Sequence, residues 1–246
     1  MKKETALTFL PGVLFLAVWE AAVYGRDDLQ FLFAAPSLIF KTALAELSAF
    51  PIWRDCGVTL LESLLGLGFG ALLGTCAGLL LWRNGTADRI ARPYIAILGA
   101  IPVFAVAPIM IIWFGIGLLS KAVMAGIAVS FVSLTQSYEG AHATAAQHLT
   151  FARTLAASHA SVVAKIIIPG SIRWVMTGFR INVALALTGA FVAEFISSES
   201  GLGNYILRAG SLYDMPRVLF GVALLSILAL GLTALATRVQ QAFFKS

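Results

Sequence analysis

Residues Thr150 to Gly203 read TFARTLAASHASVVAKIIIPG followed by SIRWVMTGFRINVALALTGAFVAEFISSESGLG. The first part belongs to a polar helical segment, Glu139 to Pro169, set between two very apolar ones, and it cannot lie in lipid. Arg153, Lys165 and Arg173 put that segment on the cytoplasmic side, because lysine and arginine mark the inner face. Pro169 is expected to stop it, and Trp174 to begin a membrane helix that carries Arg180, Asn182 and Glu194. A structured cytosolic loop is thus joined to a polar-lined membrane helix. A plain channel or anchor needs no such loop; a membrane subunit driven by a cytosolic partner does.

Composition agrees with a membrane setting. Of the 246 residues, 59% are hydrophobic and 12% charged, where a soluble domain would carry about a quarter charged. Mean hydropathy is +0.90, which with the long apolar runs indicates a polytopic membrane protein. The net charge of +5 does not point to nucleic acid, since the bases sit at the edges of apolar runs without a basic patch or aromatic platform. Cys56 and Cys76 have no metal-ligand spacing and are expected as free thiols.

Six membrane helices are expected. The first covers about Leu7 to Tyr24 and is read as retained, because Pro11, Glu20 and the missing cleavage site argue against a signal peptide. A short helix starts at Pro36-Ser37, with Phe40, Leu44 and Leu47 on one face, and is expected along the outer surface, packed on the bundle. The second span is about Val58 to Trp82, where Gly66, Gly70, Gly74 and Gly78 recur every four residues and favour tight static helix packing. The third, about Tyr94 to Phe114, contains Pro102 and Pro108, which kink helices and are tolerated where a cavity or neighbouring helices cover the break. The fourth is about Lys121 to Tyr138, the fifth about Trp174 to Ile196, and the sixth about Val218 to Thr237, with an outer loop at 197–217.

Charge tests this topology. Lys2, Lys3, Arg83, Arg89, Arg92, Arg153, Lys165, Arg173, Arg238 and Lys245 fall inside; Arg26, Lys41, Arg54, Lys121, Arg208 and Arg217 fall outside. The bias has the sign that puts both termini in the cytoplasm.

No catalytic constellation is present. The chain lacks a Walker-type phosphate loop and a nucleophile elbow, and His142, His148 and His159 are not spaced as metal ligands. No cofactor is expected. On the fifth helix Arg180, Leu187, Phe191 and Glu194 share one face, and ionisable groups in a span usually face the bundle interior or a wet cavity. Arg180, Asn182, Phe191 and Glu194, with Pro102 and Pro108, are therefore candidate pathway residues; an interfacial or interhelical structural role is the competing reading.

The spacing of the 150–170 segment resembles the cytoplasmic loop of ATP-binding-cassette importer permeases, Glu-Ala-Ala, three residues, Gly, nine residues, Ile, any residue, Leu-Pro. Phe151 and Ala152 fall at the two alanines, and Ile166 and Pro169 match. Thr150 stands for the Glu, Ala156 for the Gly and Ile168 for the Leu. Trp113-Phe114-Gly115-Ile116-Gly117, Thr177-Gly178-Phe179-Arg180-Ile181, Ala193-Glu194-Phe195 and Gly201-Leu202-Gly203 are similar to the nitrate/sulfonate/taurine branch. The resemblance implies one all-α permease domain, 1–246, with a coupling loop at about 139–173 in which Arg153, Thr154, Leu155, Ala156, Ala157 and Ser158 meet an ATPase. Small residues there suit close docking and the polar ones fix register.

It also implies a non-enzymatic subunit of the inner membrane that works as a pair of identical copies, with two cytosolic ATPases and a periplasmic or lipid-anchored binding protein. Its substrate would be nitrate, a sulfonate, taurine or a thiamine-precursor-like solute. The rival class is an autonomous secondary carrier or a non-transporting scaffold. A carrier would show repeated halves, which are not seen here, and a scaffold would not need Arg180 and Glu194 in a span.

Overall fold

The structure, a computed structural model, describes residues 2–100, 102–154 and 158–245. It is helical throughout, with no strand among the described residues. Helix α1 (Lys2–Val23) and the short α2 (Asp27–Phe33) precede α3 (Pro36–Leu47), α4 (Phe50–Arg83) and α5 (Gly85–Ala100). After a 3₁₀ turn at Val103–Val106 come α6 (Ala107–Phe114), α7 (Leu118–Thr154), α8 (His159–Val162), α9 (Ile168–Thr177), α10 (Phe179–Ile196), α11 (Leu202–Ser211) and α12 (Met215–Lys245).

Five helical segments among the described residues are long and apolar enough to cross a membrane: Phe50–Arg83, Leu118–Ala152, Ala160–Thr177, Phe179–Ile196 and Met215–Phe244. Leu10–Val23 is a shorter apolar helix. Of the six expected spans the second, fourth, fifth and sixth are among these five; the first is only the shorter Leu10–Val23 helix, and Ala160–Thr177, expected as cytoplasmic loop, is long and apolar enough to count as well. The third is not one kinked helix: α5 ends at Ala100, and the chain passes Pro102 and a 3₁₀ turn before α6 starts, with Pro108 in its first turn. Proline has no N–H to give and clashes with the preceding turn, so a second proline six residues on leaves no room to rebuild an α-helix between them.

The fourth helix does not stop at Tyr138. It continues to Thr154, so most of the expected loop is the far end of a membrane helix. Pro169 does not stop the segment either. Val163–Ile167 forms a π-helical turn just before it, and Pro169 takes the second position of α9. The wider turn removes the clash with the carbonyl four residues back and needs no amide from the proline. The interruption comes instead at Gly178, whose Cβ, if it had one, would collide with the Gln136 side-chain amide.

The core is the parallel packing of α4 on α7, flanked by α10. The glycine stripe makes it possible: a Cβ on Gly70 would lie 2.5 Å from the Gly126 carbonyl oxygen, and those on Gly66, Gly74 and Gly78 would meet Ala125, Ser130 and Ser137. With small residues on both sides the backbones approach closely, which drives helix association where lipid offers no hydrophobic gain. Leu67, Val129, Val183 and Ala186 fill the centre. Helix α3 is where expected. Ile39 and Ala43 pack towards Ile52 and Phe220, while Phe40, Leu44 and Leu47 are exposed.

Candidate functional site

The most constrained polar site lies where the ends of α4 and α10 meet the start of α11. An α-helix begins with backbone N–H groups that have no partner within it. In α11 three successive amides at that end are met by side chains from two other helices. Gly201 N–H donates to Asp55 Oδ1 at 2.8 Å, Leu202 N–H to Thr59 Oγ1 at 2.9 Å, and Gly203 N–H to Glu194 Oε2 at 2.7 Å. The Thr59 hydroxyl in turn donates to Glu194 Oε1 at 2.6 Å. Glu194 is fully buried, a state that costs several kcal/mol for an unpaired carboxylate. Those donors and the positive end of the helix dipole offset that cost.

The glycines are required by the same geometry. Gly201 has φ +100°, and a Cβ on it would run into the Glu194 carboxylate; one on Gly203 would lie 2.6 Å from the Phe191 carbonyl oxygen. The two short motifs, Ala193-Glu194-Phe195 and Gly201-Leu202-Gly203, thus form one contact. Helix α11 itself, expected only as loop, is held in place by it.

Beneath this cap lies a charged pair. Lys121 Nζ stands 3.5 Å from Glu62 Oε1, and both side chains are buried. The Glu62 carboxyl adjoins that of Glu194, and neither of its oxygens accepts a hydrogen bond among the described residues. Lys121 is therefore not the outer-edge charge expected from its place at the start of a span. Asp55 completes the group, with Arg208 Nη2 3.8 Å from its Oδ2.

The other pathway candidates are spread along the bundle. Asn182 is fully buried, donating to Ser133 Oγ at 3.0 Å, and its own side-chain oxygen has no partner among the described residues. Arg180 is exposed beside Thr237, Gln240, Gln241 and Phe244 of α12. Phe191 is half-buried, its ring 5.8 Å from that of Phe195. Pro102 and Pro108 are exposed, while the neighbouring Ala107 and Met110 pack on Met124 and Ala193. The structure therefore joins Glu194 to residues of α4, α7 and α11, and does not bring it together with Arg180 or Asn182.

At the opposite end Asp88, near the start of α5, accepts hydrogen bonds from the Tyr138 hydroxyl and from His142 Nε2 at 2.9 Å, and Arg92 Nη2 lies 3.3 Å away. The hydrogen bond from Tyr138 above all, with those from His142 and Arg92, holds the Asp88 carboxyl below its ordinary range. A concavity of about 700 Å³ between α5 and α7 opens beside this cluster.

The base of the coupling loop is well packed, with Ala152, Val162 and Ile167 against Leu79 and Trp82 of α4. Thr154 and Ser158 are exposed, and Ser158 Oγ caps the next turn through Ser161. Arg153 lies in the last turn of α7. The expected contact residues Leu155, Ala156 and Ala157 lie outside the described residues. No group of three His, Cys, Asp or Glu among the described residues is placed to hold a metal.

Comparison with known proteins gives this arrangement its family. The profile described as binding-protein-dependent transport system inner membrane component matches residues 66–246. The chain belongs to that family. It is a permease subunit of an ATP-binding-cassette transporter, a multi-pass protein of the inner membrane, and the family is one of non-catalytic subunits.

The permease is 32% identical over 200 residues to a probable ABC transporter permease of Haemophilus influenzae, covering 81% of this chain and 80% of that one. It is 29% identical over 229 residues to a formylaminopyrimidine transport permease of Halalkalibacterium halodurans (92% and 89% covered). Over 192 residues it is 30% identical to the taurine transport permease of Escherichia coli (76% and 70%). In fold the permease is similar to a chain of the inward-facing MetNI methionine ABC transporter, with a TM-score of 0.68 at 18% identity, covering 78% of this chain and 96% of that one.

Sequence reading missed Glu62 and Lys121 as partners of Glu194. Glu62 carries the signal that singled out Glu194, an acid inside an apolar run.

Proposed function

We propose that this permease moves a small polar solute of the sulfonate, taurine, nitrate or thiamine-precursor kind, delivered by an extracytoplasmic binding protein and driven by a pair of cytosolic ATPases. The relatives that carry taurine and formylaminopyrimidine in their names support that range of substrates. Two copies of the permease, each a single domain over 1–246, would enclose the path, with both termini cytoplasmic.

One observation carries the coupling part of this reading. Helix α7 runs for 37 residues, about 55 Å at ~1.5 Å per residue, against a hydrocarbon core of ~30 Å. The chain that follows runs back antiparallel through α8, α9 and α10. The far end of α7 would thus stand clear of the bilayer, and the segment Arg153, Thr154, Leu155, Ala156, Ala157 and Ser158 after it is proposed as the tip that meets the ATPases. Movement of the ATPases at that tip would be carried along α7 and α10 to the rest of the bundle.

The path itself is proposed along α10 and the broken third span, with Arg180, Asn182, Phe191, Pro102 and Pro108 beside it. Packing of Ala107 and Met110 on Ala193 brings the break next to α10, which supports this choice. Glu194 would serve the path by fixing the 197–203 turn that closes its outer end.

The test is Ala157→Glu in the complete transporter. The expected result is a permease that inserts and folds but loses co-purification of the ATPase or substrate-stimulated ATP turnover. If both match the parent, the coupling assignment is wrong.

A further inference from the structure

The hairpin has a second feature that docking at its tip does not use. A cleft of about 470 Å³ opens between the far part of α7 and the returning α8–α9 segment, lined by His148, Lys165 and Arg173 with Thr144, Phe151 and Trp174. It contains three nitrogen bases and no acid. None of the three basic side chains has an ion-pair or hydrogen-bond partner among the described residues. No acid can be supplied locally, because residues 140–193 contain no Asp or Glu. Elsewhere Lys121, Arg92, Arg208 and Arg217 each have a carboxylate within 4 Å. Three unpaired cationic or donor side chains around one cleft therefore mark a place left for an external anion.

Depth in the bilayer identifies the anion. Leu118 follows the tight turn at Gly115, whose φ of +77° closes α6. From Leu118, Thr144 and His148 lie about 39 and 45 Å along α7 at ~1.5 Å per residue. Counted from the outer headgroup level, where the tight turn would sit, those depths lie beyond the far edge of the ~30 Å hydrocarbon core and at the inner limit of the ~40–45 Å that includes both headgroup layers. Trp174 and Phe151 are exposed at the rim of the cleft, and Trp in particular is enriched at this level of membrane proteins. The tip of the hairpin stands roughly 15 Å further out than Thr144, so a protein docked there need not cover the cleft. Basic pockets between helices at the inner leaflet are suited to anionic phosphate headgroups.

We propose that this cleft is a binding site for the phosphodiester headgroup of an anionic phospholipid, held by Lys165 and Arg173 with His148 and Thr144 as further donors. The lipid would bridge α7 to α9 on both sides of the coupling tip and so set the stiffness of the hairpin. The site stands on depth and charge, and is independent of which solute the permease carries.

The test uses the complete transporter, purified with its ATPase in detergent and titrated with dioleoylphosphatidylglycerol, with dioleoylphosphatidylcholine and inorganic phosphate as separate arms. Bound lipid is counted by native mass spectrometry. The parent should retain phosphatidylglycerol in preference to phosphatidylcholine, and 10 mM inorganic phosphate should not displace it. Lys165→Gln/Arg173→Gln should weaken phosphatidylglycerol by roughly 25-fold, about fivefold for each cation removed, while Arg238→Gln, a cation outside the cleft, behaves as the parent.

Should the double variant fail to fold, Lys165→Gln and His148→Gln alone still report, with about fivefold and smaller losses. Equal phosphatidylglycerol affinity in these variants and the parent overturns the site. Displacement by inorganic phosphate at that concentration overturns the lipid as its source and makes it a soluble-anion site. Unchanged lipid with lost co-purification of the ATPase overturns it in favour of an acidic protein partner.

Discussion

The two ends of the α4–α7–α10 core handle charge in opposite ways. At the end where α11 begins, Asp55, Glu62, Lys121 and Glu194 are all buried, and all four serve a helix terminus or each other at fixed distances. At the hairpin end the bases are exposed and Lys165, Arg173 and His148 are unpaired, while Asp88 takes its partners in a half-open cluster. A buried charge tolerates one geometry, since moving it away from its partner strands it in low dielectric. An exposed one exchanges partners with water at little cost. The first end is built to hold a shape and the second to make and break contacts.

The sharpest way to break the contrast is at the buried pair. Lys121→Met leaves Glu62 beside Glu194 with no cation between α4 and α7, and should cost roughly 3–5 kcal/mol. The measurement is thermal unfolding of the reconstituted transporter. Adding Glu62→Gln to Lys121→Met should recover much of the loss, because the stranded charge goes with it. If Lys121→Met melts like the parent, the first end is not charge-locked and the comparison fails.

How much of this was legible in the chain differs by region. The helical class, the glycine stripe and the approximate spans follow from patterns of apolar and small residues that depend on local sequence. The length of α7 does not, because polar residues after Tyr138 read as loop when the bilayer is taken as the limit of a helix. Pro169 reads as a stop until the preceding π turn is known, and that turn has no signature in side-chain type. Helix α11 was invisible for another reason. Its start is stabilised by Asp55, Thr59 and Glu194, which come from far away in sequence. Glu62 was within reach, as an acid in an apolar run, but nothing in the sequence pairs it with Lys121.

A second, smaller effect should come from the cap. Glu194→Ala leaves the Gly203 N–H without its acceptor in a buried site, which should cost about 1–3 kcal/mol, while the Thr59 hydroxyl keeps the Asp55 carbonyl oxygen 3.2 Å away. Solute uptake should fall while the ATPase still co-purifies, since the hairpin end is untouched. Thr59→Val should reproduce part of this, and Arg180→Gln none of the stability loss. Wild-type melting and uptake in Glu194→Ala would show that the start of α11 is held by packing alone.

The smallest effect is expected at Asp88, and it is the one that pH can address. Its carboxyl accepts from Tyr138, His142 and Arg92, and those bonds favour the charged form, so its pKa lies below the ordinary carboxylate value. A depressed carboxylate pKa means that the ionised group stabilises the folded arrangement above the unfolded value of ~3.9 and that this contribution is lost as pH falls through the lower, folded value. The contact of α5 with α7 should therefore be constant from pH 5 to pH 8 as far as Asp88 is concerned, and should loosen only in stronger acid. Asp88→Asn removes the charge but keeps an acceptor for Tyr138, so α5 should loosen slightly at neutral pH and lose its acid transition. Nitroxide labels at positions 89 and 146, in a Cys56→Ala/Cys76→Ser background, would read the α5–α7 distance directly. A parent and an Asp88→Asn variant with the same distance distribution at every pH would show that Asp88 does not hold α5. The hairpin end would then depend on the contact of Gly99 with the Phe131 ring and on the anion in the neighbouring cleft.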